Sequence, residues 1–87
     1  MKLTLDVENT VTKRDGKMYL DPFEPDNRLV MVGCLTDAGE EYLYRDNFDG
    51  VQALLDQATI LIGHNIAYDL MWLWECGFNY KGPVFDT

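Results

Sequence analysis

Alternation of apolar and polar side chains predicts strands in the first half of the chain. The alternation is strict over residues 2–7, which is the period-two pattern of a half-buried strand. Residues 28–36 are rich in apolar and β-branched side chains, as expected of a buried strand. A turn at 37–39 leads into residues 40–45, where alternating tyrosines indicate a hairpin partner. Between the first two strands, Pro, Gly, Asp and Asn make residues 13–27 a loop or an extended hairpin.

Helical spacing of apolar residues begins in the second half. Asp46 or Asn47 can cap a helix whose apolar residues are Phe48, Val51, Leu54, Leu55 and Ala58. Residues 59–62 form a short apolar strand, and a turn connects it to a second helix over about 66–76. Gly77 can end that helix in a left-handed conformation.

The order of these elements predicts an α/β fold. Strand, loop, strand, strand, helix, strand and helix follow one another, and Val84-Phe85 after Pro83 can begin a last short strand. A hairpin followed by helix–strand–helix favours a mixed sheet with flanking helices. The length of 87 residues corresponds to one small domain over 1–87.

Composition narrows the function classes. The 7 Lys and Arg against 15 Asp and Glu give a formal net charge of −8, which excludes binding of a phosphate backbone by bulk attraction. If the chain handles nucleic acid, metal ions held by carboxylates must supply the positive charge. Cys34 and Cys76 form no CxxC pair and indicate neither a zinc site nor a disulfide framework. No signal peptide or membrane-length apolar run is visible, so we expect a cytoplasmic protein.

Two acidic residues end the first predicted strand. Asp6 and Glu8 are two positions apart, so both side chains point to one face and repel each other unless a cation lies between them. Oxygen ligands of this kind suit Mg²⁺ or Mn²⁺. The alternative is a polar strand end that meets solvent, since a DxE triplet is common by chance.

A second constellation lies where the last buried strand turns into the second helix. Asn65 can cap this helix or offer its amide to a ligand, and Asp69 lies one turn further along the same face. The residues around Asp69 are almost all apolar, where a lone carboxylate is costly unless it is paired or coordinating. The alternative is a first-turn carboxylate that the helix dipole stabilises.

Together these segments resemble a known family. Asp6-Val7-Glu8 on a first strand, followed by His64-Asn65-Ile66-Ala67-Tyr68-Asp69 at a strand-to-helix junction, is similar to the first two motifs of the DEDD 3′–5′ exonucleases. The likeness is greatest to the proofreading domains of family A DNA polymerases, bacterial or phage. Val84-Phe85-Asp86-Thr87 resembles the segment that follows the second motif. The resemblance covers essentially the whole chain but about the first half of such a domain.

The resemblance implies a ribonuclease H-like fold that removes nucleotides from a DNA 3′ end with two divalent metal ions. Asp6 would bridge both ions, Glu8 would bind the first and Asp69 the second. The motif positions of Asn65 and Tyr68 imply support of the site or of the terminal nucleotide. Asn9 beside the first motif and His64 before the second are further substrate-binding candidates, although His64 suits a junction residue better than a metal ligand.

A third family motif, with a fourth carboxylate on a later helix, has no counterpart in this sequence. Asp86 matches a different position. We therefore expect the N-terminal part of an exonuclease domain, incomplete in its last helices and catalytically weak or inactive alone, from an enzymatically active parent. The alternatives are a ribonuclease H-like binding or assembly module without catalysis, and a generic acidic α/β domain.

Two tryptophans raise a separate question. Trp72 and Trp74 could stack on bases, but their spacing on one helix points them in different directions and favours burial in a core or interface. If a missing half normally covers one of them, apolar surface is left exposed. We therefore expect a homo-oligomer, possible forms being a dimer or a swapped assembly.

Overall fold

Two helices, a five-stranded sheet and a separate hairpin make up the computed structural model, which describes all 87 residues. The elements in chain order are β1 (Lys2–Asn9), β2 (Thr12–Arg14), β3 (Lys17–Tyr19), β4 (Leu29–Thr36), β5 (Glu41–Arg45), α1 (Val51–Gln57), β6 (Ile60–Gly63), α2 (Ile66–Glu75) and β7 (Val84–Asp86). The predicted α/β class and each predicted strand and helix are confirmed.

The large sheet is mixed, as the order of elements predicted. Its strands lie in the order β5-β4-β1-β6-β7. β1 pairs antiparallel with β4 and parallel with β6, while β7 continues the parallel side and β5 the antiparallel side. β1 therefore lies at the centre of the sheet, where the two kinds of pairing meet.

The period-two pattern of β1 sets the core. Leu3, Leu5 and Val7 are buried, whereas the residues between them are exposed. The buried side chains join one apolar cluster with residues of both helices, among them Leu55 and Trp72. Burying an aliphatic side chain of this size stabilises a fold by about 1.5–3 kcal/mol. The opposite face of the sheet carries the polar residues of β1 and is open.

Residues 13–27 contain an extended hairpin, one of the two forms expected. β2 and β3 are joined by Asp15 and Gly16, both in the left-handed region with φ of 50° and 77°. Positive φ at both turn residues is the geometry that matches the twist of a two-residue hairpin. Arg14 then binds the carboxylates of Glu24 at 2.7 Å and Asp26 at 2.6 Å, which fixes the following loop.

The helix caps differ from the prediction. α1 begins after Gly50, which has a φ of 97°, and neither Asp46 nor Asn47 caps it. Asn47 instead accepts a hydrogen bond from the backbone N–H of Asp49 at 2.9 Å, in a turn before the helix. Asn65 does occupy the N-cap position of α2, but its side chain makes no capping bond.

The end of α2 follows the prediction closely. Gly77 has a φ of 92°, and the N–H of Phe78 donates to the carbonyl of Leu73 at 2.9 Å, which closes the helix. Trp72 and Trp74 face different directions, as expected. Trp72 is 2% exposed in the core, but Trp74 is 53% exposed, so its expected burial is not found within the chain. Neither helix has the length and apolar character needed to span a membrane.

Candidate metal centre

Asp6 and Glu8 share the open face of the central strand. Both side chains are exposed, and the buried Val7 between them points to the core. In the ladder with β4, Asp6 lies opposite Gly33 and Glu8 opposite Met31. Gly33 has no side chain to cover Asp6, so the space beside this carboxylate is open.

Asp69 lies in the first turn of α2 and is 5% exposed. Burial, and after it the negative charge of Asp6, raise the pKa of Asp69 to about 7, while a backbone hydrogen bond from Val7 acts in the opposite direction. A carboxylate stabilised by a helix dipole alone would be exposed and would have a low pKa. Asp69 therefore lies near the end of β1, close enough for the charge of Asp6 to act on it.

No basic side chain compensates these carboxylates. Both salt bridges of the chain are made by Arg14, in the segment of the hairpin. The side-chain atoms near Asp69 that could coordinate a metal ion are carboxylate oxygens, which are the ligands that Mg²⁺ and Mn²⁺ prefer. By chemistry and uncompensated charge the residues fit a hard divalent cation, although no three His, Cys, Asp or Glu side chains converge on one point as they stand.

The start of α2 is tied to β7. The backbone N–H of Asn65 donates to Oδ1 of Asp86 at 2.7 Å, and Nδ1 of His64 lies 3.2 Å from the carbonyl oxygen of Thr87. Asp86 therefore holds the helix start in place, a role that sequence reasoning missed. The predicted strand at Val84-Phe85 could have revealed this role, because β7 brings Asp86 beside Gly63 in the parallel ladder. The side chains of His64 and Asn65 are exposed.

Tyr68 and Asn9 meet at one backbone carbonyl. The Tyr68 hydroxyl lies 2.8 Å from both Oδ1 of Asn9 and the carbonyl oxygen of Leu20, and its single proton serves one of them at a time. Nδ2 of Asn9 and Nε1 of Trp72 also donate to the Leu20 carbonyl, at 3.0 and 3.3 Å. These two predicted substrate-binding residues thus attach the hairpin segment to α2 and to the end of β1.

Gly63 allows α2 to start close to β1. A Cβ at this position would lie 3.0 Å from the carbonyl oxygen of Leu5 and 2.8 Å from Cδ1 of Ile66. Both distances are shorter than ordinary van der Waals contact. The missing side chain therefore lets the first turn of α2, which carries Asp69, approach the strand that carries Asp6.

The structure brings together one part of the predicted site. Asp6 and Asp69 come into electrostatic contact from different elements, and Glu8 lies on the same face as Asp6. Tyr68 and Asn9 each adjoin one of these acidic residues in sequence, but their side chains are occupied by internal hydrogen bonds. His64 and Asn65 lie at the exposed entrance of α2, on the side of β7.

Comparisons with known proteins give a fold. No protein-family model and no curated protein matches the sequence. The solved structure of the family B DNA polymerase from the hyperthermophilic archaeon Pyrobaculum calidifontis matches 85% of this chain, with a TM-score of 0.58 and 21% identity. The chain spans 10% of that polymerase chain. The protein therefore has the fold of a small part of a family B DNA polymerase.

Proposed function

We propose that this chain is part of a polymerase-associated 3′–5′ exonuclease domain that acts on DNA 3′ ends. The observation that carries the proposal is the buried Asp69 of α2, on which the charge of Asp6 of β1 acts while neither residue has a salt bridge. The two motifs of the DEDD exonucleases place their carboxylates on the same kinds of element. The likeness to a DNA polymerase supports the same class of function.

Asp6, Glu8 and Asp69 would hold two divalent cations, with Asp6 shared between them. When bound, such ions lower the pKa of a water molecule and stabilise negative charge on the phosphate oxygens. Two observations support a shared cation site: Glu8 lies on the same face of β1 as Asp6, and the charge of Asp6 acts on Asp69 of α2. The cations would also offset the charge of −8 near the DNA.

The neighbouring polar residues divide into two groups. Asn65 and His64 are exposed, and the Asn65 side chain makes no hydrogen bond within the chain, so its amide is available for a nucleotide. Tyr68 and Asn9 would act indirectly, because their hydrogen bonds fix α2 and the end of β1 against the hairpin segment. In this proposal Tyr68 reaches the terminal nucleotide only when its hydroxyl leaves the Leu20 carbonyl.

Hydrolysis by these residues alone is expected to be slow or absent. Asp86 does not supply the fourth carboxylate of the family pattern, because it accepts the Asn65 N–H and lies at β7. The ribonuclease H-like class is supported by the mixed sheet with helices. A family A, bacterial or phage relationship and a cytoplasmic location rest on the motif resemblance alone.

Metal-dependent binding of DNA tests the proposed function. A fluorescent single-stranded oligonucleotide should bind in the presence of Ca²⁺ or Mn²⁺ and be released by a chelator, since the chain alone repels phosphate. Asp6→Asn and Asp69→Asn should each abolish the metal-dependent binding. Asp37→Asn makes the same change of charge at an exposed turn and should bind like the unsubstituted chain. Binding that is equal with and without metal, or a loss as large in Asp37→Asn, would contradict the proposal.

A further inference from the structure

The sheet ends on one side in an edge strand, β5, whose protection against pairing is limited to one acidic and one basic residue at its ends. β5 is outermost in the strand order and contains no Pro, Gly or Lys. The opposite edge strand, β7, has only three residues and directly follows Pro83. Proteins commonly protect edges with short strands, Pro or charged side chains, above all Lys. β5 therefore stands out as the edge that can accept another strand.

The sequence of β5 is complementary to itself. It reads Glu41-Tyr42-Leu43-Tyr44-Arg45, with opposite charges at its two ends, tyrosines inside them and leucine at the centre. If two copies pair antiparallel about Leu43, Glu41 of each copy lies opposite Arg45 of the other, and Tyr42 lies opposite Tyr44. Opposite charges and aromatic pairs at facing positions stabilise a sheet by about 0.2–1 kcal/mol each.

The backbone of β5 has the correct phase for this pairing. The N–H of Thr36 donates to the carbonyl of Glu40 at 2.9 Å, so Thr36 and Glu40 form a hydrogen-bonded pair of the β4–β5 ladder. Such pairs alternate along antiparallel strands, so Tyr42 and Tyr44 point their backbone groups toward β4. The N–H and C=O groups of Glu41, Leu43 and Arg45 then point to the free edge. In the antiparallel pairing about Leu43, these are the residues that face one another across the two-fold axis relating the two copies.

The side chains at this edge are also unpaired within the chain. Neither Glu41 nor Arg45 takes part in a salt bridge. Leu43 is 62% exposed and lies beside Leu35, which is 42% exposed, on the open face of the sheet. One carbonyl at the edge, that of Arg45, accepts the N–H of Asn47 at 2.6 Å, and it retains a second lone pair for the partner strand.

We infer that two copies of this chain associate through their β5 edges into one continuous ten-stranded sheet. The occupant is a second copy because the charge pattern of β5 fits its own reverse. The contact is small, so the dimer is weak and reversible. The metal centre is not part of this contact. Asp6 lies two strands away in the same register row as Leu43, and the two Asp6 residues of the dimer are about 24 Å apart.

Charge exchange at the ends of β5 tests the dimer. Sedimentation velocity from micromolar to millimolar concentration should show a monomer–dimer equilibrium for the parent chain. Glu41→Arg and Arg45→Glu should each weaken the dimer at least tenfold, because like charges then face each other on both sides of the axis. The double variant E41R/R45E should restore dimerisation, and an equimolar mixture of the two single variants should form a heterodimer.

Matched controls and a residue-level readout make the result decisive. Glu75→Arg and Lys81→Glu change the net charge by the same amounts at exposed positions outside β5 and should dimerise like the parent. In the dimer, the amides of Glu41, Leu43 and Arg45 should gain protection from hydrogen exchange as the concentration rises, while those of Tyr42 and Tyr44 are protected throughout. A monomer at every concentration, or a double variant that stays as weak as the single ones, overturns the inference.

Discussion

A buried acid without a counter-charge dominates the chemistry of this molecule at the level of single residues. The pKa of Asp69 is raised to about 7 because burial and, after it, the charge of Asp6 disfavour its ionised form, so it holds a proton to a higher pH than an ordinary Asp. A divalent cation can replace that proton and remove both penalties at once. Its helix, apolar on almost every side, made Asp69 conspicuous in the sequence. Its orientation toward Asp6 depends on the tertiary structure and could not be predicted from spacing.

The pH dependence of stability follows from the raised pKa of Asp69. Between about 4 and 7 the folded state binds more protons than the unfolded state, so the free energy of unfolding falls as the pH rises through this window. For the metal-free protein, we expect this group to lower the free energy of unfolding by about 1–3 kcal/mol between pH 5 and pH 8. Urea unfolding at the two pH values, with a chelator present, measures the difference.

Two Asp→Asn variants separate the contribution of Asp69 to this pH dependence from that of the other carboxylates. Asp69→Asn cannot ionise and should flatten the dependence, whereas Asp37→Asn should retain it. Parallel profiles for the parent and Asp69→Asn would show that the carboxyl of Asp69 does not titrate in this range.

At the level of elements, periodicity predicted the strands and helices well because it reflects burial. The alternation in β1 and the apolar spacing of α2 correspond directly to the faces that are buried. The predicted N-terminal cap of α1 was wrong because a cap depends on backbone angles, such as the φ of 97° at Gly50. The attachment of the hairpin segment was not predicted, for a related reason. It depends on the carbonyl of Leu20, and a backbone carbonyl has no signature in the sequence.

The junction between β6 and α2 gives a prediction for an element. Gly63→Ala would force a Cβ against the Leu5 carbonyl and Ile66, so we expect the free energy of unfolding to fall by about 1–3 kcal/mol. Gly33→Ala is the control, since a Cβ there would meet its neighbours at 3.7 Å or more. Urea unfolding of both variants measures the difference. An equal effect of the two substitutions would contradict the close approach described for Gly63.

For the molecule as a whole, the net charge opposes the proposed action on DNA until the carboxylates are located. A charge of −8 opposes contact with DNA, while the fold is shared with a small part of a DNA polymerase. A cation site at Asp6, Glu8 and Asp69 would reconcile the two, because bound metal turns an acidic face into one that accepts phosphate. The sequence motifs located these residues, and the structure added the coupling between β1 and α2.

The most direct test of the account is the melting temperature with and without Mn²⁺. A cation that binds the folded state alone raises this temperature, and the rise grows with metal concentration. We predict a rise of several degrees for the parent chain and for Asp37→Asn, and none for Asp6→Asn or Asp69→Asn. An unchanged melting temperature of the parent, or the same rise in all four proteins, would contradict a metal centre at the end of the first strand.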